Sequence, residues 1–337
     1  MNLKYLIFII YFLSLICFNV AANQNIENYI KKISNNYLEL SKASNELAEN
    51  AKKNCINSPK KFLKNSKHNF NELILIWGQV QHIRFGPIND FNNYSRIQFW
   101  PDKRGVVHRQ FKKVLLTKPE YVLDYGELGL KSVAIQGLPV LEKILFDEFT
   151  KEDDTKKSLF LCGYLFSVSK NLEAIFNYNH SVWNNESELF QYFEKENFLN
   201  ELFNSVLSQI EFISKHKLEN KIKKSQINLK KEEFWRSNNS LNILYQNLES
   251  IILFYDQLVR SDLIEKNKNL GSEIDSILKE IKNFINEGEK KNMKYNVNLY
   301  EVLFVLNQNI KHFEKKLLNE VSSLLSINIG FNKMDGD

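Results

Sequence analysis

The sequence predicts an all-α protein: two antiparallel helical-bundle halves with an irregular loop excursion near residues 85–130. Three observations carry this. The 337 residues include only 11 glycines and 5 prolines, under half of the average combined usage of about 12%, and a fold of many short strands needs turn residues far more often. Hydrophobic residues make up 43% of the chain, with 25 Phe and 14 Tyr, enough to bury a large core and exclude global disorder. Apolar residues also recur every three or four positions over long stretches, the period of a helix with one buried face.

Residues 1–22 read as a signal peptide outside the folded domain. Lys4 gives a positive start, Leu6 to Phe18 is apolar apart from Ser14, and Val20-Ala21-Ala22 places small residues where a signal peptidase cleaves. A membrane anchor is the alternative, but the run is short for a span of about 20 residues. The expectation is a periplasmic or secreted protein after cleavage near Ala22, with membrane contact peripheral at most. Cleavage leaves Cys55 and Cys162. In an exported chain these are a candidate disulfide; two buried free thiols are the alternative, and their separation has no metal-site spacing.

The first helix follows from Ile26, Tyr29, Ile30, Ile33, Tyr37, Leu40, Leu47 and Ala51. Ser58-Pro59 breaks it. A second helix runs from Lys60 through Leu73, Leu75, Ile76 and Val80 to Arg84, and stops at Phe85-Gly86-Pro87, because a proline disfavours helix at the residue before it. Residues 88–130 lose the period; they hold Phe99-Trp100-Pro101-Asp102, the turn Lys103-Arg104-Gly105 and Tyr125-Gly126-Glu127-Leu128-Gly129. Helix is expected again from Lys131 to Phe149. There Pro139 lacks an amide hydrogen, frees the Ile135 carbonyl and kinks the helix. The acidic Glu152-Asp153-Asp154 reads as a loop before a helix from Lys156 to Trp183. The remainder fits helices at 187–217, 239–259, 269–288 and 295–325. The clearest stripes are Leu270, Ile274, Ile277, Leu278, Ile281 and Ile285, and Leu299, Val302, Leu303, Leu306, Ile310, Phe313, Leu317, Val321, Leu324 and Leu325. Long helices with short connectors build antiparallel bundles, here an N-terminal bundle over 23–185 and a C-terminal one over 186–337.

Charge excludes one class of partner. With 45 basic and 40 acidic side chains the net charge is only +5. Lys221-Ile222-Lys223-Lys224 and Lys230-Lys231 read as solvated helix faces, not as a nucleic-acid stripe. The sequence holds no His-Glu-x-x-His, Cys-x-x-Cys, Gly-x-Ser-x-Gly or Gly-rich phosphate loop, so no catalytic residue is assigned. Its histidines are scattered; His216 and Glu219 share a helix face, but among lysines that look exposed. The distinctive feature is a set of polar groups beside helix breakers. It comprises Arg84-Phe85-Gly86-Pro87, Arg96, Trp100-Pro101-Asp102 and Arg104, then Gln136-Gly137-Leu138-Pro139-Val140-Leu141-Glu142, then Trp235-Arg236-Ser237, and finally Gly330-Phe331-Asn332-Lys333-Met334-Asp335-Gly336-Asp337.

Trp77 ahead of Phe85-Gly86-Pro87, followed in order by Phe99-Trp100-Pro101-Asp102, Gly137-Leu138-Pro139-x-x-Glu142, Trp235-Arg236-Ser237 and the Gly-Phe…Asp-Gly-Asp end, resembles the imelysin-like family. The resemblance implies an exported bacterial protein with a two-bundle helical fold, often linked to iron. Family members have been called metallopeptidases on a Gly-x-His-x-x-Glu motif, whose His and Glu share a helix face suited to a metal. Gly137 and Glu142 match it here, but Pro139 occupies the histidine position and has no ligand atom. Glu142 is therefore the sole metal candidate in the motif, and iron or another metal enters as a cofactor through the resemblance alone.

The candidate ligand-binding set is Arg84, Arg96, Trp100, Asp102, Arg104, Gln136, Gly137, Glu142 and Arg236. Each has a structural alternative. Glu142 either faces a cleft between the bundles or pairs with Arg84, Arg96 or Arg104. Trp77 and Trp100 suit core packing. Gly137 and Pro139 make a kink or a close helix approach, Arg236 braces a bundle end or binds an anion, and Asp335 and Asp337 act as ligands or fray. The expected function is a periplasmic binding or accessory module in iron or other metal acquisition, taking an unknown small ligand or metal species. An envelope protein-interaction module and an imelysin-type peptidase are the alternatives, the latter disfavoured by Pro139.

Overall fold

The computed structural model describes residues 3–149, 155–219, 232–291 and 297–330. The expected lysine-rich faces at 221–224 and 230–231, the acidic run at 152–154 and the terminal Phe331 to Asp337 lie outside the described residues. Among the described residues the chain is helical and has no strand, so the all-α expectation holds.

Three long helices build the first layer: α1 (Leu3–Asn54), α2 (Pro59–Val80) and α7 (Thr155–Trp183). α1 lies along both α7 and α2. Its buried stripe contains Tyr29, Ile30, Ile33, Tyr37, Leu40, Leu47 and Ala51, the residues picked out by the helical period. On α2 the inward face is Phe70, Leu73, Ile74, Trp77 and Val80, while Leu75 and Ile76 are only half-buried. The helix is turned this way because its other side meets α10 (Ser240–Phe254). A methyl group at Gly78 would stand 2.9 Å from Cβ of Gln246, so glycine permits that approach. Cys55 and Cys162 form a disulfide with a Cα–Cα distance of 6.0 Å, tying the end of α1 to α7; closing a loop of this length is worth about 4–5 kcal/mol on the chain-entropy model. By length and composition α7 could cross a membrane, but 67% of its most apolar window is buried inside the protein.

Between α2 and α7 runs the irregular excursion, carrying α3 (Asn93–Ile97), α4 (Val106–Thr117), α5 (Tyr125–Gly129) and α6 (Leu138–Lys143). The single kinked helix expected over 131–149 is not formed. Ser132 caps a short 3-10 turn at Val133–Ile135, Gln136 is extended, and Gly137 has φ +81°. Pro139 lies in the first turn of α6, where a missing amide hydrogen costs nothing. The Ile135 carbonyl accepts a hydrogen bond from the Tyr164 hydroxyl at 2.6 Å.

The expected helix at 187–217 also starts late. After α8 (Glu186–Leu189) the chain is irregular until α9 (Phe198–Phe212). In that stretch Phe193, with Phe198, folds onto Phe85 at ring distances of 5.4 and 6.1 Å, an aromatic cover that a straight helix could not provide. Of the remaining helices, α12 (Lys268–Lys291) and α13 (Val297–Lys316) begin within two residues of the expected starts, whereas α11 (Arg260–Lys266) fills a stretch where no helix was expected. The stripe Leu270, Ile274, Ile277, Leu278, Ile281 and Ile285 is buried throughout; Val302 is exposed. α6, α9, α10 and α13 each run into a wider π-type turn, at Ile144–Glu148, Ile213–Glu219, Tyr255–Val259 and Leu317–Val321. Buried side chains from Tyr29 to Ile327 form one connected cluster.

Candidate functional site

The excursion, the start of α6, the turn after α9 and the segment before α10 enclose a cleft of about 630 Å³. Trp100, Asp102, Glu142 and Arg236 all line it, together with Pro139, Lys143, His108, His216 and Glu233. Four of the side chains chosen from sequence thus converge on one cavity, although Arg236 lies far along the chain from Trp100.

Each is held by a local device. Gly105 takes φ +64° ahead of α4, and both Asp102 carboxylate oxygens accept from the exposed start of that helix, Val106 N–H at 2.7 Å and Val107 N–H at 2.9 Å. Helix starts leave such amides without partners, so this carboxylate is engaged in capping. Trp100 is half-buried and meets Phe212 edge-on at 5.6 Å. Glu142 is 3% exposed. Its Oε1 accepts from both the Ser237 N–H and the Ser237 hydroxyl at 2.9 Å, and Arg236 Nη1 stands 3.9 Å from Oε2. Burial pushes the Glu142 carboxyl above its usual range, while Ser237 and Arg236 pull it back. The Arg236 guanidinium lies over the Trp235 ring and donates to Asp147 at 2.5 Å. Trp235-Arg236-Ser237 is therefore a clasp closing over Glu142.

Sequence reasoning missed several cleft residues. Lys143 is buried beside Glu142; burial, then the nearby Arg236, hold its ammonium below the usual lysine range. His216, expected to be exposed, is half-buried against Phe212 at 5.0 Å and is lowered by burial and by Lys103. Its presumed companion Glu219 pairs with Lys311 at 2.7 Å. Glu233 and Lys217 form a buried ion pair. Around them Gln81 donates to Glu233 at 2.8 Å, while Lys217 donates to Gln81 at 2.9 Å and Asn247 at 2.5 Å. Trp77 and Glu233 both bond Gln98, so Trp77 is a core residue with its indole N–H satisfied. A buried ion pair survives only with such supporting hydrogen bonds. The adjacency of Glu232-Glu233 to Trp235-Arg236-Ser237 was the available sequence signal.

Other predicted site residues lie outside the cleft lining. Arg96 donates to Gln136 at 3.3 Å, Asn93 at 3.1 Å and Asn171 at 2.7 Å, and Asn171 donates to Gln136 at 2.7 Å. Gly137 packs against the backbone of Arg96 and Ile97. Arg84 is sandwiched between Tyr94 and Phe212, 4.8 Å from each, and bonds Gln209 at 3.0 Å. Arg104 is exposed. Glu142 pairs with none of Arg84, Arg96 or Arg104; its arginine is Arg236. Among the described residues no three His, Cys, Asp or Glu side chains converge to hold a metal ion, so Glu142 has no companion ligands there.

A second cavity of about 430 Å³ lies between α1, α2, α10 and α12. Tyr29 and His82 meet there at 3.0 Å, and burial together with Arg84 lowers the imidazole to about 3, so it is neutral.

Comparison with known proteins places this arrangement. No curated protein matches the sequence. The crystal structure of an imelysin-like protein from Psychrobacter arcticum 273-4 superposes with a TM-score of 0.74 at 19% identity, covering 91% of this chain and 98% of that one. At that identity the likeness is one of fold. The imelysin family model, which carries a peptidase label, matches residues 33–302. With most of the chain matched and the fold shared, the chain belongs to the imelysin family.

Proposed function

We propose that this chain is an exported binding module of the imelysin family, freed of residues 1–22 after Ala22, that serves the acquisition of iron or another metal through a ligand held in the cleft. The supporting observation is the convergence of Trp100, Asp102, Glu142 and Arg236 on one cavity of about 630 Å³, within the range of small-molecule sites. The walls come from both proposed halves, 23–185 and 186–337. Pro139 supplies no donor where the family motif has histidine, and Glu142 is engaged by Ser237 and Arg236. The cleft therefore suits a metal carried in a complex, or the complexing molecule, better than a bare ion. Peptidase chemistry would need a nucleophile or metal-held water that these residues do not assemble.

The test is to purify the protein from its own cell envelope and identify what accompanies it by mass spectrometry and metal analysis, beside a Trp100→Ala variant. A small molecule present in the wild type and depleted in the variant is expected. Nothing bound to either, or equal amounts in both, would overturn the reading.

A further inference from the structure

Among the charges lining the cleft, the acids Asp102, Glu142 and Glu233 are engaged by near neighbours, whereas the buried base Lys143 is not. Asp102 is taken by the Val106 and Val107 amides, Glu142 by Ser237 and Arg236, and Glu233 by Lys217, Gln81 and Gln98. Lys143 lines the same cavity, is only 5% exposed, and forms no ion pair or hydrogen bond with the described residues; its ammonium rests 5.6 Å from the centre of the Phe111 ring. The charged groups acting on it are Glu142 on its own helix, Asp147 and Glu148 on the following turn, Arg236 opposite and His108 on α4. None of the three carboxylates reaches ion-pair distance, and Asp147 is bonded to Arg236. His108, exposed at the cleft mouth, is disfavoured as a cation by burial and then by Lys143, Lys112 and Arg236. Arg236 and the three carboxylates leave this corner without a positive excess, and what sets it apart is the buried ammonium of Lys143 that none of them pairs. A buried ammonium without a partner lowers stability, and such strain is tolerated where a ligand relieves it.

We infer that the Lys143 corner of the cleft, with His108 at its mouth, binds an oxyanion group, carboxylate or phosphate, of the ligand. This rests on the cleft being the ligand site and names the chemistry of what it holds.

The test is isothermal titration of the envelope-purified protein, after dialysis, with inorganic phosphate and separately with citrate. At least one should saturate, and which one does separates the phosphate source from the carboxylate source. Lys143→Met keeps the apolar stem and removes the charge; it should weaken that anion about tenfold or more, the loss expected for a charge-assisted hydrogen bond. Lys143→Met should also melt no lower than the wild type, because an unpaired buried charge has gone. Lys143→Arg should retain most of the binding. His108→Gln, at an exposed position and safe for folding, should weaken the anion by a smaller factor. Unchanged affinity in both Lys143→Met and His108→Gln, or no binding of either anion by the wild type at millimolar concentration, would overturn the inference. If either happens while a small molecule still accompanies the wild type and is lost in Trp100→Ala, the cleft reading stands and only the oxyanion assignment falls.

Discussion

Two polar clusters flank the short segment from Gln136 to Lys143, and they behave in opposite ways. Behind it, Arg96, Asn93, Gln136 and Asn171 close on one another, and Gln136 donates to the Lys131 carbonyl at 3.0 Å. In front, Glu142, Lys143 and Arg236 face a cavity, with Lys143 forming no ion pair or hydrogen bond among the described residues. The first cluster fastens an irregular stretch whose backbone has no helix ladder to satisfy it. The second leaves polar capacity open toward space. Polarity beside a helix breaker is therefore not one signal in this protein: the Arg96 cluster closes on itself, while the cleft side keeps a buried ammonium without an ion pair or hydrogen bond among the described residues.

The largest test of that contrast is Gly137→Ala. Its Cβ would stand 2.3 Å from the Arg96 carbonyl oxygen and 2.4 Å from that of Ile97, at φ +81°. Both obstacles are backbone, so neither can step aside. A loss of about 3 kcal/mol or more is expected in urea unfolding, whereas Pro139→Ala in the first turn of α6 should change stability by about 1 kcal/mol or less. Wild-type stability in Gly137→Ala would mean that the fastening side is not rigid. Next comes Arg96→Met, which leaves the side-chain oxygens of Asn93 and Asn171 without their Arg96 donor, Gln136 keeping the one from Asn171, and should cost about 2 kcal/mol. Binding in the cleft should persist at temperatures where the variant is folded. Loss of the ligand with stability intact would place Arg96 on the cleft side and break the contrast.

The division between the clusters was only partly legible in the sequence. Where one helix face is buried over many turns, as in α1 and α12, the three/four period names the core residues almost one for one. It fails where local options are degenerate. Proline inside a helix and proline in its first turn look alike in sequence, and the deciding fact, the positive φ of Gly137, is set by the carbonyls of Arg96 and Ile97 from a separate helix. The cleft was legible through Trp100, Asp102, Glu142 and Arg236, each beside a breaker. Lys143 was not, because being buried and unpaired is a property of its surroundings and not of its neighbours in sequence. The Lys217–Glu233–Gln81 network likewise joins residues on the turn after α9, before α10 and at the end of α2, which no local pattern connects.

The smallest effect sharpens the cleft side. Burial raises the Glu142 carboxyl, against the pull of Ser237 and Arg236. The folded protein therefore keeps this proton to a higher pH than the unfolded chain does. Between the unfolded carboxylate value, about 4.3, and the raised folded value, the native state binds more protons. Stability from this group is then fully present below that interval and lost as pH rises through it. Glu142→Gln keeps a carbonyl oxygen for both Ser237 donors and removes the charge. Urea midpoints of the two proteins, compared at each pH from 4 to 8, should draw apart as pH rises, the variant becoming the more stable by less than either substitution above costs. A difference that stays flat with pH would show that Ser237 and Arg236 fully offset burial, making Glu142 a closed structural carboxylate like Asp102 and leaving Lys143 as the open charge of the cleft.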